Sequence, residues 1–284
     1  MSPQDRGAGD AGDAGDAGDA SDASDAGDAS DASDAGTAAV AVPSAGFRHF
    51  HDQLDALKER LLTMSQRAEA LVELAVEALL HPDVAKAEAV LAGDREVDAL
   101  EVEVEGIAIS LLATQQPMAR DLRFLVSAIK VSSDLERVGD HAVNIAQSAL
   151  ALHAGRPRIT PDPEIAVMAA KARSMLSHAL DAFVRADGTL GRAVCAMDDE
   201  VDALHDSLFR IVVTHMLEDP TTISAALQLF LVSRNLERVA DLATNIGEDA
   251  VFLAEGVQIK HHLEARARTG GMHDAGARRP TTER

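Results

Sequence analysis

The chain carries one long sequence pattern twice, and this duplication limits the folds that it can adopt. The segments SDLERVGDHAVNIA (133–146) and RNLERVADLATNIG (234–247) share LERV, Asp, Ala and NI in register, at an offset of 101 residues. Upstream of them, the matched positions lie 104 residues apart: Met64 and Met168, Asp94 and Asp198, Asp98 and Asp202, Leu100 and Leu204. We infer a tandem duplication, with the three-residue change placed in a turn, where changes of length are tolerated.

Both copies have the hydrophobic period of amphipathic helices. Apolar residues recur every three or four positions at Phe50, Leu54, Leu57, Leu61, Met64, Ala68, Leu71, Ala75 and Leu79. Turn signals divide each copy into three at His81-Pro82-Asp83, Gln115-Gln116-Pro117, Asp187-Gly188 and Glu218-Asp219-Pro220. The absence of Trp and Tyr also favours helices over strands. The sequence predicts an all-α fold of two tandem antiparallel three-helix bundles, over residues 47–155 and 162–258.

The two ends of the chain differ from this body. An Asp stands at every third position from Asp10 to Asp34, between small residues, which predicts a disordered acidic tail over residues 1–46. Residues 260–284 are predicted to form a flexible C-terminal tail. The net charge is −21, and −12 remains after residues 1–36 are subtracted, which argues against nucleic-acid binding. No secretory signal or long apolar run occurs and Cys195 is the only cysteine, so we expect a soluble cytoplasmic protein without membrane insertion.

Candidate chemistry lies in four pairs of acidic residues. Each pair has the (i, i+4) spacing that puts two carboxylates on one helix face, where like charges repel. The pairs are Asp94 and Asp98, Glu136 and Asp140, Asp198 and Asp202, and Glu237 and Asp241. Four pairs at equivalent places in two repeats call for a compensating cation or a basic partner.

A metal site and a solvated acidic face are the two interpretations of these pairs. If the pairs on the second and third helix of a bundle lie at similar height, four carboxylates converge, and Asn144 or Asn245 extends the stripe. Such oxygen donors suit Mg²⁺, Ca²⁺, Mn²⁺ or iron better than a Cys/His zinc site, although zinc stays among the candidates. In the other interpretation, Arg95, Arg137 and Arg238 form local salt bridges with a solvated face.

Several enzymatic sites do not fit the residue types. Neither Glu136 nor Glu237 is followed by His at the third position, as a ferritin-like di-iron centre requires, and no HExxH or nucleotide-binding loop occurs. His141 has Leu242 as its repeat counterpart, so we interpret it as a helix-surface or partly packed residue. Cys195 aligns with an apolar position and is predicted to be a buried core thiol rather than a nucleophile.

At the two LERV segments the chain resembles the PhoU family of phosphate-transport accessory and regulatory proteins. The resemblance covers about residues 47–258 and includes FRHFHDQLDALKERLLTM, DREVDALE and QQPMARDLRFLVSAIKVSSDLERVGDHAVNIA. It implies two tandem three-helix bundles that hold metal ions through E(D)xxxD motifs. The implied ligands are Asp94, Asp98, Glu136, Asp140, Asp198, Asp202, Glu237 and Asp241.

The resemblance also implies a function. PhoU-like proteins restrain the phosphate-starvation response, are thought to connect the phosphate ABC transporter and its ATPase to a sensor histidine kinase, and often form dimers. In the second repeat, His205 replaces Glu101 and Ala240 replaces Gly139. We therefore expect two metal sites of unequal affinity. The rival functions are a metal-dependent hydrolase and a metal-binding or purely structural helical scaffold.

Overall fold

The computed structural model describes residues 45–155 and 159–259, which form six long α-helices. These are α1 (Ala45–Leu80), α2 (Val84–Gln115), α3 (Ala119–Ala154), α4 (Pro163–Arg185), α5 (Gly188–Glu218) and α6 (Ile223–Glu255). A single 3-10 turn, Pro220–Thr222, precedes α6. There is no β-strand within these two ranges. The predicted all-α class, with three helices in each repeat, is confirmed.

Side-chain caps explain where several helices begin. Asp83 accepts a hydrogen bond from the backbone N–H of Lys86 at the start of α2. Asp162 caps α4 in the same way, and Pro163 occupies the first turn, where its missing N–H costs nothing. At the start of α5, the Asp187 carboxylate accepts from two backbone N–H groups at 3.0 Å each. Asp83 and Asp187 thus lie in short turns between consecutive helices of one bundle, and Asp162 marks the start of the second bundle.

The predicted apolar stripe of α1 forms part of the core. All nine residues of that stripe are buried, and Leu57, Leu61 and Met64 are completely inaccessible to solvent. Leu125 and Leu135 of α3 and Met168 and Met175 of α4 are completely buried in the same hydrophobic core. Burial of this aliphatic surface is the main stabilising contribution, at roughly 25 cal/mol per Å².

The two bundles pack against each other chiefly along α3 and α6. The side chain of Lys130 lies 3.6 Å from the carboxylate of Asp249, which is almost fully buried, and His141 forms a hydrogen bond of 3.0 Å with Asn235. Later positions on α3 therefore meet earlier positions on α6, so these two helices are antiparallel. A second contact joins α1 to α4, where Arg173 forms an ion pair of 2.8 Å with Glu73.

Two further sequence predictions concern membrane insertion and the two ends of the chain. None of the helices within residues 45–155 and 159–259 is both long enough and apolar enough to cross a lipid bilayer. The predicted acidic tail, apart from its last two residues, and the predicted C-terminal tail lie outside the described residues.

Candidate metal centre

Five acidic side chains come together between α2 and α3, and we call them the first cluster: Asp94, Asp98, Glu101, Glu136 and Asp140. The register is antiparallel, because the Asp94 carboxylate lies against Gly139 and Glu101 accepts a hydrogen bond from Ser133. Asp94, Glu101 and Glu136 are half-buried, whereas Asp98 and Asp140 are exposed. The four predicted ligands of the first repeat are thus placed on one surface.

The first cluster is electrostatically strained. Burial, followed by the charges of Asp140, Glu101, Asp98 and Asp94, raises the pKa of Glu136 from 4.5 to about 7. Burial, then Asp98 and Asp140, also raises the pKa of Asp94. Burial disfavours the charged form of a carboxyl group, and neighbouring negative charges disfavour it further.

Glu101 was not among the predicted ligands. Its pKa is raised by burial and by Glu105, partly opposed by the hydrogen bond from Ser133, and further raised by Asp98 and Asp140. The sequence contained a usable signal, since Asp94, Asp98 and Glu101 follow an i, i+4, i+7 pattern that defines one face of a helix.

The Asp94 carboxylate shows most directly that the first cluster suits a cation. Its Oδ1 atom is buried and has no hydrogen-bond partner among the described residues. A Cβ atom built on Gly139 would lie 2.7 Å from this oxygen, so the carboxylate occupies space that only glycine leaves open. A buried carboxylate oxygen without a donor is costly, and a hard cation is the group that such an oxygen prefers.

The second cluster, Asp198, Asp202, Glu237 and Asp241, lies between α5 and α6 and repeats the burial pattern of the first. Asp198 and Glu237 are half-buried, and Asp202 and Asp241 are exposed. Asp198 and Asp241 line a common cleft of about 330 Å³, together with Asn245, Glu248, Arg137 and Arg238. Glu237 is on the same helix, one turn before Asp241, but does not line that cleft.

Two arginines distinguish the second cluster from the first. Although Asp241 is exposed, the protein around it displaces part of its hydration, and this desolvation, followed by the charge of Asp202, raises its pKa. Arg238, His141 and Arg137 act in the opposite direction. Arg137 comes from α3, so the first bundle supplies positive charge to the cluster of the second. This contribution depends on how the bundles pack and could not be predicted from spacing along either repeat.

The two replacements noted in the second repeat have structural consequences. Ala240, which is fully buried, puts a methyl group where Gly139 leaves room for Asp94. His205, the counterpart of Glu101, packs its ring 5.6 Å from that of Phe230, and its Nδ1 is buried without a hydrogen-bond partner. The second cluster therefore has one carboxylate fewer, and a methyl group occupies the place of the Gly139 hydrogen.

The remaining candidate residues take the following positions. Asn144 and Asn245 are both exposed, and Asn245 lines the second cleft. His141 is half-buried, as its interpretation as a partly packed residue anticipates. Cys195 is half-buried rather than fully buried, and burial, then Glu248 and Asp198, raises the pKa of its thiol to about 11. The thiol is therefore protonated at neutral pH, which does not suit a nucleophile.

The donor set fits a hard cation by residue type, and the unpaired Asp94 oxygen supports this for the first cluster. Within residues 45–155 and 159–259, however, no three Asp, Glu, His or Cys side chains are already arranged to hold one ion. The eight implied ligands thus lie in two surface clusters, and their role in metal binding stays a prediction.

Comparison with known proteins identifies the family. The sequence profile described as the PhoU domain matches the chain twice, at residues 61–149 and 165–250. A protein of Zymomonas mobilis is 37% identical over 217 residues, covering 76% of this chain and 91% of that protein. A protein of Aquifex aeolicus is 39% identical over 215 residues, covering 75% and 97%. The chain belongs to the PhoU family.

Solved structures agree with this assignment. The crystal structure of PhoU from Pseudomonas aeruginosa superposes with a TM-score of 0.69 at 35% identity, over 73% of this chain and all of that one. The phosphate transport system regulatory protein PhoU from Streptococcus pneumoniae gives 0.69 at 27% identity, over 74% and 99%. Both curated relatives are named "Phosphate-specific transport system accessory protein PhoU homolog". The PhoU name thus denotes an accessory protein and not an enzyme, as predicted.

Proposed function

We propose that this chain is an accessory protein of a phosphate-specific transport system and a negative regulator of the phosphate-starvation response. In this role it connects the transporter ATPase to a sensor histidine kinase at the cytoplasmic face of the membrane. The observation that carries the proposal is the extent of the similarity, because the two PhoU-domain matches fall on the two bundles and include most of each of the six helices. Long helical faces also suit binding to the helices of another protein.

We further propose that the two carboxylate clusters bind metal ions. Asp94, Asp98, Glu136 and Asp140 would hold the first metal, with Glu101 beside them, and Asp198, Asp202, Glu237 and Asp241 the second. When bound, a metal ion supplies positive charge that relieves the repulsion within the cluster. The half-buried members hold the site to the bundle, while the exposed members keep it accessible.

The affinities of the two clusters are expected to differ. The first cluster has five carboxylates, and no arginine or lysine appears among the groups that shift the pKa of Asp94, Glu101 or Glu136. Arg137 and Arg238 already supply positive charge beside the second cluster. Cations are attracted less strongly to a site that is partly neutralised, so the first cluster should bind more tightly.

Deletion of the gene in its host tests the regulatory role. We expect constitutive expression of the starvation response, restored to repression by the full-length gene. Pull-down of the purified chain should recover the transporter ATPase and the sensor kinase, and sedimentation should show whether it forms a homodimer. Normal repression in the deletion strain would contradict the regulatory proposal, and metal-dependent turnover of phosphoesters would favour a hydrolase instead.

Metal analysis of protein purified without chelator tests the clusters. We expect Glu136→Ala with Asp140→Ala to remove the tightly held metal. The matched pair in the second repeat, Glu237→Ala with Asp241→Ala, should remove only weakly held metal. If the first double variant retains as much metal as the unaltered protein, the first cluster is not a metal site.

A further inference from the structure

A groove of about 470 Å³ runs along the seam between α3 and α6, next to the cleft of the second cluster. Its polar lining includes Arg234, Arg238 and Asn235 from α6, and His141, Asn144 and Gln147 from α3. None of the described residues that line it is Asp or Glu. In a chain whose body is strongly acidic, this seam groove is a local surface of positive charge and hydrogen-bond donors.

The two arginines of the seam groove are not held in ion pairs, although the charge of Arg238 also acts on Asp241 of the second cluster. Neither Arg234 nor Arg238 lies within ion-pair distance of an acidic side chain in the described part of the fold. The two residues are one helical turn apart on α6, so their side chains share one face. Arg238 also borders the cleft of the second cluster, whereas Arg234 borders the seam groove alone.

The internal duplication provides a control within the same chain. The counterparts of Asn235, Gln147 and Ser148 in the other repeat are Asp134, Glu248 and Asp249, and the counterpart of Arg234 is Ser133. Three acidic positions are therefore neutral in the seam groove, and one neutral position is an arginine. Each of these four differences removes negative charge from the seam groove or adds positive charge to it.

Two hydrogen bonds fix the orientation of the Asn235 side chain in the groove. The side-chain amide of Asn235 donates to the carbonyl oxygen of Leu231 at 2.7 Å, so its Oδ1 faces His141 and accepts from Nδ1 at 3.0 Å. This connection joins the two bundles and holds Asn235 in place without involving either arginine. The guanidinium groups keep their donors for a ligand.

We propose that the seam groove binds a small molecule that carries phosphate-type oxyanion groups. Guanidinium groups present forked N–H donors that match phosphate oxygens, and neutral amides complete the hydrogen bonding of an oxyanion without adding repulsion. The volume lies within the range of small-molecule sites and exceeds what one inorganic phosphate fills, so a phosphate ester or a condensed phosphate fits best. This proposal requires neither metal at the clusters nor the regulatory function, although Arg238 also borders the cleft of the second cluster.

Calorimetric titration of the full chain tests the proposal. Metal is first removed on a chelating resin, because a metal at the second cluster would itself attract phosphate and a soluble chelator is a competing anion. The probes are orthophosphate, pyrophosphate and ATP, with succinate for comparison, all at one ionic strength. Binding of ATP or pyrophosphate alone identifies the ligand as an ester or condensed phosphate, and equal binding of orthophosphate identifies a single phosphate group. Both results support the site, whereas equal binding of succinate overturns its selectivity.

Three variants locate the binding. Arg234→Gln removes a guanidinium group that belongs only to the seam groove, and Asn235→Asp restores the acid of the other repeat at nearly constant shape. Each should weaken binding about tenfold or more. Arg210→Gln, which removes an exposed arginine of α5 outside the groove, should leave affinity unchanged. No binding by any phosphate probe at millimolar concentration, or binding that neither groove variant weakens, would overturn the proposal.

Discussion

At the level of single residues, Gly139 and Ala240 differ by one methyl group at equivalent places in the two repeats. Because a Cβ at position 139 would lie 2.7 Å from the Asp94 carboxylate, Gly139→Ala must displace that side chain. We expect metal binding by the first cluster to weaken about tenfold, by analogy with other changes that disturb the orientation of a ligand. Isothermal titration calorimetry with Mn²⁺ measures the change in affinity between Gly139→Ala and the unaltered protein.

The stability of the metal-free protein separates a local effect from general damage. The carboxylate is the end of a flexible side chain and can move, and alanine favours a helix over glycine by about 1 kcal/mol. The free energy of unfolding of Gly139→Ala should therefore change by less than about 1 kcal/mol. Unaltered Mn²⁺ affinity in this stably folded variant would show that the position of Asp94 does not matter for metal.

The raised pKa of Glu136 predicts a pH dependence of stability in the absence of metal. The folded chain holds this proton up to about pH 7, whereas the ordinary value is 4.5, so the free energy of unfolding falls as pH rises through this window. Glu136→Gln removes the penalty and should raise the melting temperature at pH 8 by a few degrees, with little change at pH 4. Screening at this half-buried position limits the gain to about 1 kcal/mol.

Melting curves followed by circular dichroism at the two pH values provide the measurement. Glu237→Gln, at the equivalent position in the second repeat, is the matched control and should give a smaller gain because Arg137 and Arg238 lie near that cluster. A gain from Glu136→Gln that is equal at pH 4 and pH 8 would show that its charge is not the cause.

Sequence spacing identified the carboxylate pairs but not all of their surroundings. Asp94, Asp98, Glu136 and Asp140 could be placed on facing helices because a helical period fixes which residues share a face. The same helical period would also have placed Glu101 on the face of Asp94 and Asp98. The position of Arg137 beside the second cluster could not be predicted in this way, because it depends on how the two bundles pack and no sequence period reports that packing.

At the level of helices, the sequence predicted the boundaries to within a few residues. Asp83, Asp162 and Asp187 are caps with a local mechanism, so these boundaries do not depend on distant contacts. A proline marks the first two of these turns, and Gly188 marks the third. The distance between packed helices was harder to predict from the sequence. At the crossing of α5 and α6, Gly191 and Gly247 meet where the first bundle has Ala87 and Ala146.

This close crossing predicts opposite effects for two glycine substitutions. A Cβ on Gly191 would lie 2.5 Å from the backbone oxygen of Gly247, which cannot move without shifting α6. Gly191→Ala should therefore lower the free energy of unfolding by about 1–3 kcal/mol. Gly106→Ala, in α2 with open space around it, should raise that free energy by about 0.5–1 kcal/mol.

Urea unfolding followed by circular dichroism gives both values. The two variants make the same chemical change inside a helix, so their difference isolates the effect of the crossing. If Gly191→Ala proves as stabilising as Gly106→Ala, α5 and α6 do not approach closely at Gly191 and Gly247.

At the level of the whole molecule, the duplication predicts two bundles but not how they join. Lys130 with Asp249 and Arg173 with Glu73 link the halves through residues that the duplication does not preserve, since the counterparts of Lys130 and Asp249 are Leu231 and Ser148. Symmetric sequence positions therefore contain no information about this interface. The seam groove owes its composition to the same departure from symmetry.

The contacts between the bundles predict that both halves unfold together. Phe183 of α4 is fully buried and its ring stacks on that of Phe124 of α3, with ring centroids 5.5 Å apart. Phe183→Ala should cost about 3–5 kcal/mol and lower a single melting transition by about 10 °C. Because the chain has no Trp or Tyr, circular dichroism at 222 nm is the appropriate probe. Hydrogen exchange should then accelerate in α1–α3 as well as in α4–α6. Acceleration confined to α4–α6, or two separate transitions, would mean that the bundles are independent folding units that merely touch.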